Sequence, residues 1–156
     1  MRIPLIVTLA GCIQAAISCA AAQTPTDGPS VYRTWLTDTK KAHIQIMSCS
    51  SPSEGPVCGR VVRLFEPKRP DGTIGEEHEE INKCDAREGR TPRRLLGMAI
   101  MYNFKPGPTH ASITDGKVIN IEDCQSYSID ARVSEDGKTL RVRHWTGFGR
   151  TWTLVR

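Results

Sequence analysis

Residues 125–145 read QSYSIDARVSEDGKTLRVRHW, and this stretch decides the fold class. Apolar and polar side chains alternate over residues 127–133, which is the pattern of a strand with one buried face. The Asp-Gly pair at 136–137 is a favoured hairpin turn, and alternation resumes over residues 139–145. The stretch therefore predicts a β-hairpin that packs one face on a core.

Short segments with the same character recur on both sides of this hairpin. Further strands are predicted at residues 31–37, 43–49, 57–65, 95–104, 117–121 and 150–155. Length alone does not exclude a short helix for residues 95–104. Thirteen glycines and ten prolines provide turns and disfavour a helical bundle. We expect an all-β antiparallel meander of about eight strands that closes into a small barrel, because closure removes the sheet edges.

The first 22 residues differ in character from the rest of the chain. Arg2 precedes an apolar stretch that ends in three alanines, which predicts a secretory signal peptide over residues 1–22. A buried helix is one alternative, and acylation of Cys12 in a lipoprotein is another. Residues 23–30 form a predicted flexible linker, and residues 31–156 form a single barrel domain. No run of eighteen apolar residues is present, so we expect no transmembrane segment.

Four cysteines follow the predicted signal peptide, and they fit a periplasmic or secreted location because exported proteins keep disulfides. They are Cys49, Cys58, Cys84 and Cys124. Four cysteines allow three pairings, and we favour Cys49–Cys58 with Cys84–Cys124. The first pair flanks a Ser-, Pro- and Gly-rich segment between two predicted strands, where it would staple a hairpin end. Because no Cys-x-x-Cys pair exists, a zinc site is not expected.

Composition and motifs argue against several function classes. The formal net charge of +4 is too small to indicate nucleic-acid binding. The chain has no Gly-x-Ser-x-Gly or Ser-x-x-Lys motif, and its four histidines lack metal-ligand spacing. We therefore expect no catalytic residues, no metal site, no cofactor and no enzymatic activity.

Several short motifs, taken in order, resemble one bacterial family. Residues 58–64 (CGRVVRL) match its Cys-Gly-x-Ile/Val-Val-x-Leu motif, and residues 94–97 (RLLG) resemble its Arg-Pro-Leu-Leu-Gly. Residues 119–127 resemble its Tyr-Asn-Pro-x-Asp-Gly-x-x-Tyr, and residues 136–140 and 149–153 fit its closing hairpin. The chain is thus similar to the secreted bacterial domain-of-unknown-function family 2147. This resemblance implies an exported, lipocalin-like β-barrel.

Some residues depart from that family pattern. Arg33 stands where the family has an opening glycine, and Cys124 stands where it has a turn glycine. In a lipocalin-like barrel a first-strand tryptophan closes one end under a late arginine. Trp35 with Arg143 or Arg150 resembles this arrangement and would close the barrel here.

The predicted strands carry the side chains that either fill the barrel or line a cavity. The candidate cavity residues are Ile46, Val62, Leu64, Ile100, Tyr102, Tyr127 and Ile129. In residues 95–104, alternation places Met98, Ile100, Tyr102 and Phe104 on one face. Sequence does not distinguish an open barrel from a filled one.

Residues 66–94 form a long polar connection with two charged clusters. The acidic run at 76–80 includes His78, and we interpret it as a solvated loop because adjacent residues rarely converge on one ion. Arginines cluster next, at Arg87, Arg90, Arg93 and Arg94. They either pair with the nearby glutamates of a solvated loop or offer a surface for an anionic envelope or protein partner. We therefore predict an exported barrel that binds a small apolar ligand or an envelope partner. The alternative is a filled-barrel interaction module, such as a stress or inhibitor protein; the sequence leaves the oligomeric state open.

Overall fold

The computed structural model describes residues 28–144 and 146–156. Its strands are β1 (Thr34–Leu36), β2 (Ala42–Ser48), β3 (Val57–Leu64), β4 (Ala99–Pro106), β5 (Ser112–Asn120), β6 (Gln125–Val133), β7 (Thr139–His144) and β8 (Gly149–Leu154). Each strand pairs antiparallel with the next, and β8 pairs with β1 to close the barrel. A five-residue helix, α1 (Lys83–Arg87), lies between β3 and β4. The predicted all-β meander barrel is confirmed.

Part of the sequence prediction lies outside the described residues. The predicted signal peptide, residues 1–22, is among them, as are residues 23–27 of the predicted linker. None of the described helices is long and apolar enough to cross a bilayer.

The two ends of the barrel carry different connections. One end, which we call the closed end, carries the β2–β3, β4–β5 and β6–β7 turns. Its side chains pack into a layer with almost no solvent access: Val31, Trp35, Ile44, Ile46, Val57, Met101, Phe104, Ile113 and Leu140. The indole N–H of Trp35 donates to the Val31 carbonyl at 2.9 Å, which satisfies the polar atom of this buried ring. Trp35 therefore belongs to the closure of this end.

A close backbone approach allows Phe104 to sit in that layer. The Phe104 ring lies directly against Gly116 of β5, where a Cβ atom would collide with the ring. Glycine at 116 thus gives the ring its space. A larger residue there would force Phe104 out of the packed layer.

Val62 is exposed on the outside of the barrel, contrary to the prediction that it lines the interior. His43 of β2 pairs with Arg63, whereas the next residue, Ile44, pairs with Val61. Val62 is therefore an extra residue in β3, a β-bulge that breaks the alternation. It is 41% exposed, while Val61 and Leu64 on either side of the bulge are buried.

The predicted alternation in β4 is also wrong. The pairing of β3 with β4 shifts register twice, so the strand does not keep a two-residue period. Met101 and Phe104, three residues apart, both point into the core and are fully buried. Tyr102, a predicted cavity residue, lies half-buried on the outer surface, where its hydroxyl is 3.1 Å from the Ser126 hydroxyl.

Candidate ligand cavity

The other end, which we call the open end, leads into a cavity of about 1240 Å³. The connections β1–β2, β3–β4, β5–β6 and β7–β8 surround its mouth. Its deeper walls are mostly apolar: Val61, Leu64, Leu95, Ile100, Val118, Ile129, Val142 and Trp152. The fully buried Met101 and Phe104 are not among the lining residues. The cavity therefore ends at the packed layer of the closed end.

Four of the seven predicted cavity residues line this space, namely Leu64, Ile100, Tyr127 and Ile129. Ile46 is buried but belongs to the closed-end layer, because it lies near the end of β2 that is remote from the mouth. Alternation predicts which face of a strand a side chain takes. It carries no information on depth along the barrel axis.

Two further wall residues come from the hairpin that decided the fold and from the last strand. Val142 of β7 and Trp152 of β8 both line the cavity and are nearly buried. Both residues lie in segments of alternating apolar and polar side chains, and this alternation is the sequence signal for an inward-facing position. Phe148, in the β7–β8 connection, also lines the mouth, and it is 82% exposed. No sequence pattern distinguished it from an ordinary loop residue.

Polar groups are concentrated at the mouth. The Tyr127 hydroxyl donates to the Asp123 carboxylate at 2.8 Å, and this bond raises the pKa of Tyr127. The pKa of Asp123 is lowered, mainly by the backbone N–H of Gln125 and also by Tyr127. The rings of Tyr127 and His144 meet edge to face, 6.1 Å apart. The cavity thus has an apolar interior and a hydrogen-bonding entrance.

Ion pairs link some of the charged side chains across the connections at the mouth. Lys41 bonds to Glu122 at 3.1 Å, and Arg150 bonds to Asp38 at 2.7 Å. The predicted stacking of Arg150 on Trp35 is wrong, because this ion pair holds Arg150 at the open end while Trp35 lies in the closed-end layer. Within residues 28–144 and 146–156 the arginine placed over an aromatic ring is Arg63, above Phe65.

We call residues 65–98, which join β3 to β4, the mouth loop. It contains α1, and Lys83 and Ala86 of this helix line the cavity. The helix is capped by buried Asn82, whose side chain accepts from the N–H of Cys84 at 3.1 Å. The mouth loop therefore contributes an ordered element to the cavity entrance, where the sequence indicated only polar turns.

Asp85 organises the mouth loop from within. Its carboxylate is fully buried and accepts from the Arg93 side chain at 2.8 and 2.9 Å, from the Arg93 backbone at 3.0 Å and from Arg90 at 2.9 Å. The Arg93 hydrogen bonds hold the pKa of Asp85 well below its usual range. We call this group the Asp85 cluster.

This cluster changes the interpretation of the predicted arginine surface. Arg90 and Arg93 both pair with Asp85, and Arg90 also pairs with Glu88, while Arg87 donates to the Asp123 carbonyl at 3.3 Å. Arg94 forms an isolated backbone bridge with Ile81. The four arginines therefore do not form one uncompensated patch, because a carboxylate from the same segment lies among them.

The acidic run also divides among separate partners. Glu79 pairs with Arg69 at 2.9 Å, Glu77 accepts from the backbone of Leu64, and Glu80 accepts from the backbone of Lys68. These carboxylates thus bind different parts of the mouth loop and the end of β3.

The four cysteines of the described residues form two disulfides, and these have the favoured pairing. Cys49–Cys58 joins β3 to the segment after β2 at the closed end, with Cα atoms 5.9 Å apart. Cys84–Cys124 joins α1 to the β5–β6 turn at the open end, with Cα atoms 5.2 Å apart. Each end of the barrel thus has one covalent link.

Comparisons with known proteins agree with this architecture. The family model DUF2147, described as an uncharacterized protein conserved in bacteria, matches residues 34–156. A similar solved structure is protein HP1028 from Helicobacter pylori, described as belonging to the lipocalin family. It aligns with a TM-score of 0.56 and 15% sequence identity, over 81% of this chain and 84% of that one. No curated protein sequence matches the chain.

Proposed function

The chain belongs to DUF2147, a family of uncharacterized bacterial proteins, and from this premise we propose that it binds one small, largely apolar molecule inside its lipocalin-like barrel. The observation that carries the proposal is the cavity of about 1240 Å³ with apolar walls. Ligand pockets usually measure ~300–1,000 Å³. The space is therefore large enough for a ligand, which favours an open barrel over the filled-barrel alternative.

The distribution of polar groups supports an elongated ligand with one polar end. Ile129 and Trp152 contribute to the apolar wall, whereas Asp123, Tyr127 and Thr146 surround the mouth. Apolar walls with a few polar groups are the usual composition of small-molecule sites. We propose that the apolar part of the ligand lies against Trp152 and its polar end near the Tyr127 hydroxyl.

We propose binding rather than catalysis. The apolar walls of the cavity support this proposal, because such walls suit the retention of an apolar molecule.

A matched pair of substitutions tests the proposal. Ile100→Trp places a large side chain in the cavity, whereas Val62→Trp places the same side chain on the outside of the adjacent strand. Titration with Nile red, an apolar fluorescent dye, should show one saturable site in the wild type and in Val62→Trp. Ile100→Trp should weaken binding at least ~10-fold, equivalent to about 1.4 kcal/mol. Equal binding by all three proteins, or no saturable binding by the wild type, would reject the proposal.

We also infer that the protein works outside the cytoplasm, in the periplasm or secreted. The signal-like segment at residues 1–22 supports this inference, and so do two disulfides, which persist in oxidising compartments. The intact mass of protein purified from its own host is the test. Cleavage after residue 22 supports free export, a lipid-modified Cys12 indicates a membrane-anchored lipoprotein, and an uncleaved chain contradicts both.

A further inference from the structure

The Cys84–Cys124 disulfide lies at the entrance of the cavity. Cys84 belongs to α1, whose residues Lys83 and Ala86 line the mouth. Cys124 belongs to the β5–β6 turn, and the neighbouring residue Asp123 lines the mouth. The disulfide thus joins two parts of the cavity rim that are 40 residues apart in sequence.

Few other polar connections hold α1 to this turn. The structure gives one direct hydrogen bond between them, from the Arg87 side chain to the Asp123 carbonyl at 3.3 Å. Its length and exposure make it a weak attachment. The covalent link is therefore the dominant tie between the helix and the opposite rim.

The helix would remain attached to the following segment if this disulfide were reduced. A helix of five residues is too short to be stable alone. Here the Asp85 cluster holds it to the following segment through Arg90 and Arg93, and Asn82 caps it. These contacts lie within the mouth loop, so they do not fix the loop to the β5–β6 turn.

The backbone at Cys124 adopts a conformation that favours glycine. Its φ is +63°, in the left-handed region that glycine adopts freely and other residues adopt at a cost. The chain nevertheless has a cysteine there. This strained cysteine is partly exposed, whereas its partner Cys84 is 2% exposed.

We propose that Cys84–Cys124 is a redox-controlled latch: oxidised, it holds α1 over the mouth, and reduced, it releases the mouth loop so that ligand enters and leaves faster. The ligand part of this statement rests on the proposed function. The closed-end link Cys49–Cys58 has no such role, because strand pairing of β2 with β3 already holds that hairpin.

The reaction is thiol–disulfide exchange with a dithiol reductant. The attacking thiolate forms a mixed disulfide with the more accessible Cys124 sulfur, and Cys84 leaves as a thiolate that takes up a proton. The second thiol of the reductant then attacks the mixed disulfide and releases Cys124. Two electrons reach the protein, which gains two thiols, and the dithiol becomes a disulfide.

Two double variants of the full chain test the latch. Cys84→Ala with Cys124→Gly removes the link, and the glycine accepts the positive φ. Cys49→Ala with Cys58→Ala removes the closed-end link and serves as the matched control. The first measurement is amide hydrogen exchange of the mouth loop without any ligand, and the second is the dissociation rate of Nile red.

The latch variant should exchange faster in the mouth loop while its strands stay protected, and Nile red should leave about 10-fold faster, which corresponds to a barrier lower by about 1.4 kcal/mol. The control variant should leave both quantities at the wild-type value. Unchanged exchange of the mouth loop in the latch variant, or an equal change in the control, would overturn the proposal. If Nile red binds to none of the proteins, the proposed function fails while hydrogen exchange still decides on the latch.

A second route avoids the risk that the latch variant does not fold. The control variant retains Cys84–Cys124 as its one link between described cysteines, so dithiothreitol then opens the latch alone. The amide hydrogens of its mouth loop should exchange faster on reduction, and the original exchange rate should return on reoxidation. A mouth loop that stays equally protected in both states would also overturn the latch.

Discussion

The closed and open ends of the barrel are built from the same eight strands, yet they are held together in different ways. At the closed end, Trp35 and Phe104 are buried in the hydrophobic core without solvent access. At the open end, exposed ion pairs join the connections to one another, and the Asp85 cluster holds the mouth loop together from within. Each end also has one disulfide, so the difference is that apolar burial dominates the closed end and polar contacts dominate the open end.

Because of this difference, the side chains that stabilise the fold most lie at one end of the barrel and the proposed binding site opens at the other. Burial of large apolar side chains contributes most of the free energy of folding, and here it is concentrated away from the mouth. Exposed ion pairs such as Arg150–Asp38 contribute only ~0–1 kcal/mol each. The open end can therefore keep a cavity and a lightly attached rim without unfolding the barrel.

The largest expected effect comes from two phenylalanines, one at each end. Phe104→Ala should lower the free energy of unfolding by about 3–5 kcal/mol, because it leaves a cavity in the packed layer. Phe148→Ala at the exposed mouth should change it by less than ~0.5 kcal/mol. Urea unfolding of both variants measures the contrast. Comparable losses in the two would mean that the open end is packed as tightly as the closed end.

A smaller effect is expected from the Asp85 cluster. Asp85→Asn should destabilise the protein by ~1–3 kcal/mol at neutral pH, because it removes the charge that Arg90 and Arg93 bind, both of which remain half exposed to solvent. The control is Asp71→Asn, at an exposed turn of the same loop, which should leave the unfolding midpoint nearly unchanged.

The same cluster predicts a pH dependence. The pKa of Asp85 is lowered in the folded protein, so its contribution to stability is fully present above the unfolded value of ~3.9 and is lost progressively as pH falls below it. The difference between wild type and Asp85→Asn should therefore shrink between neutral pH and about pH 3. A constant difference in urea midpoints over this interval would show that the Asp85 charge does not stabilise the mouth loop.

Sequence predicted the closed end better than the open end. Alternation in 125–145 and in the other segments predicted antiparallel strands that form a barrel, and the lipocalin-like resemblance placed Trp35 in the closure of one end. The residue motifs led to the family that is now confirmed. These properties depend on local periodicity, which a single chain displays.

Errors arose wherever the structure departs from strict periodicity. The bulge at Val62 and the register shifts in β4 moved Val62 and Tyr102 to the outside, since one extra residue reverses the faces that follow. Ile46 was placed on the correct face but at the wrong depth. The sequence pattern does not identify Asp85 as a partner of the arginine cluster, because Asp85 is buried by a tertiary fold.

The most direct test of the central claim, an open apolar cavity above a packed layer, is a crystal structure determined under xenon pressure, because xenon enters apolar cavities. Xenon should be found between Ile129, Val142 and Trp152, with none in the closed-end layer around Trp35 and Phe104. Side chains that fill the space between Ile129 and Trp152, with no xenon there, would contradict the account.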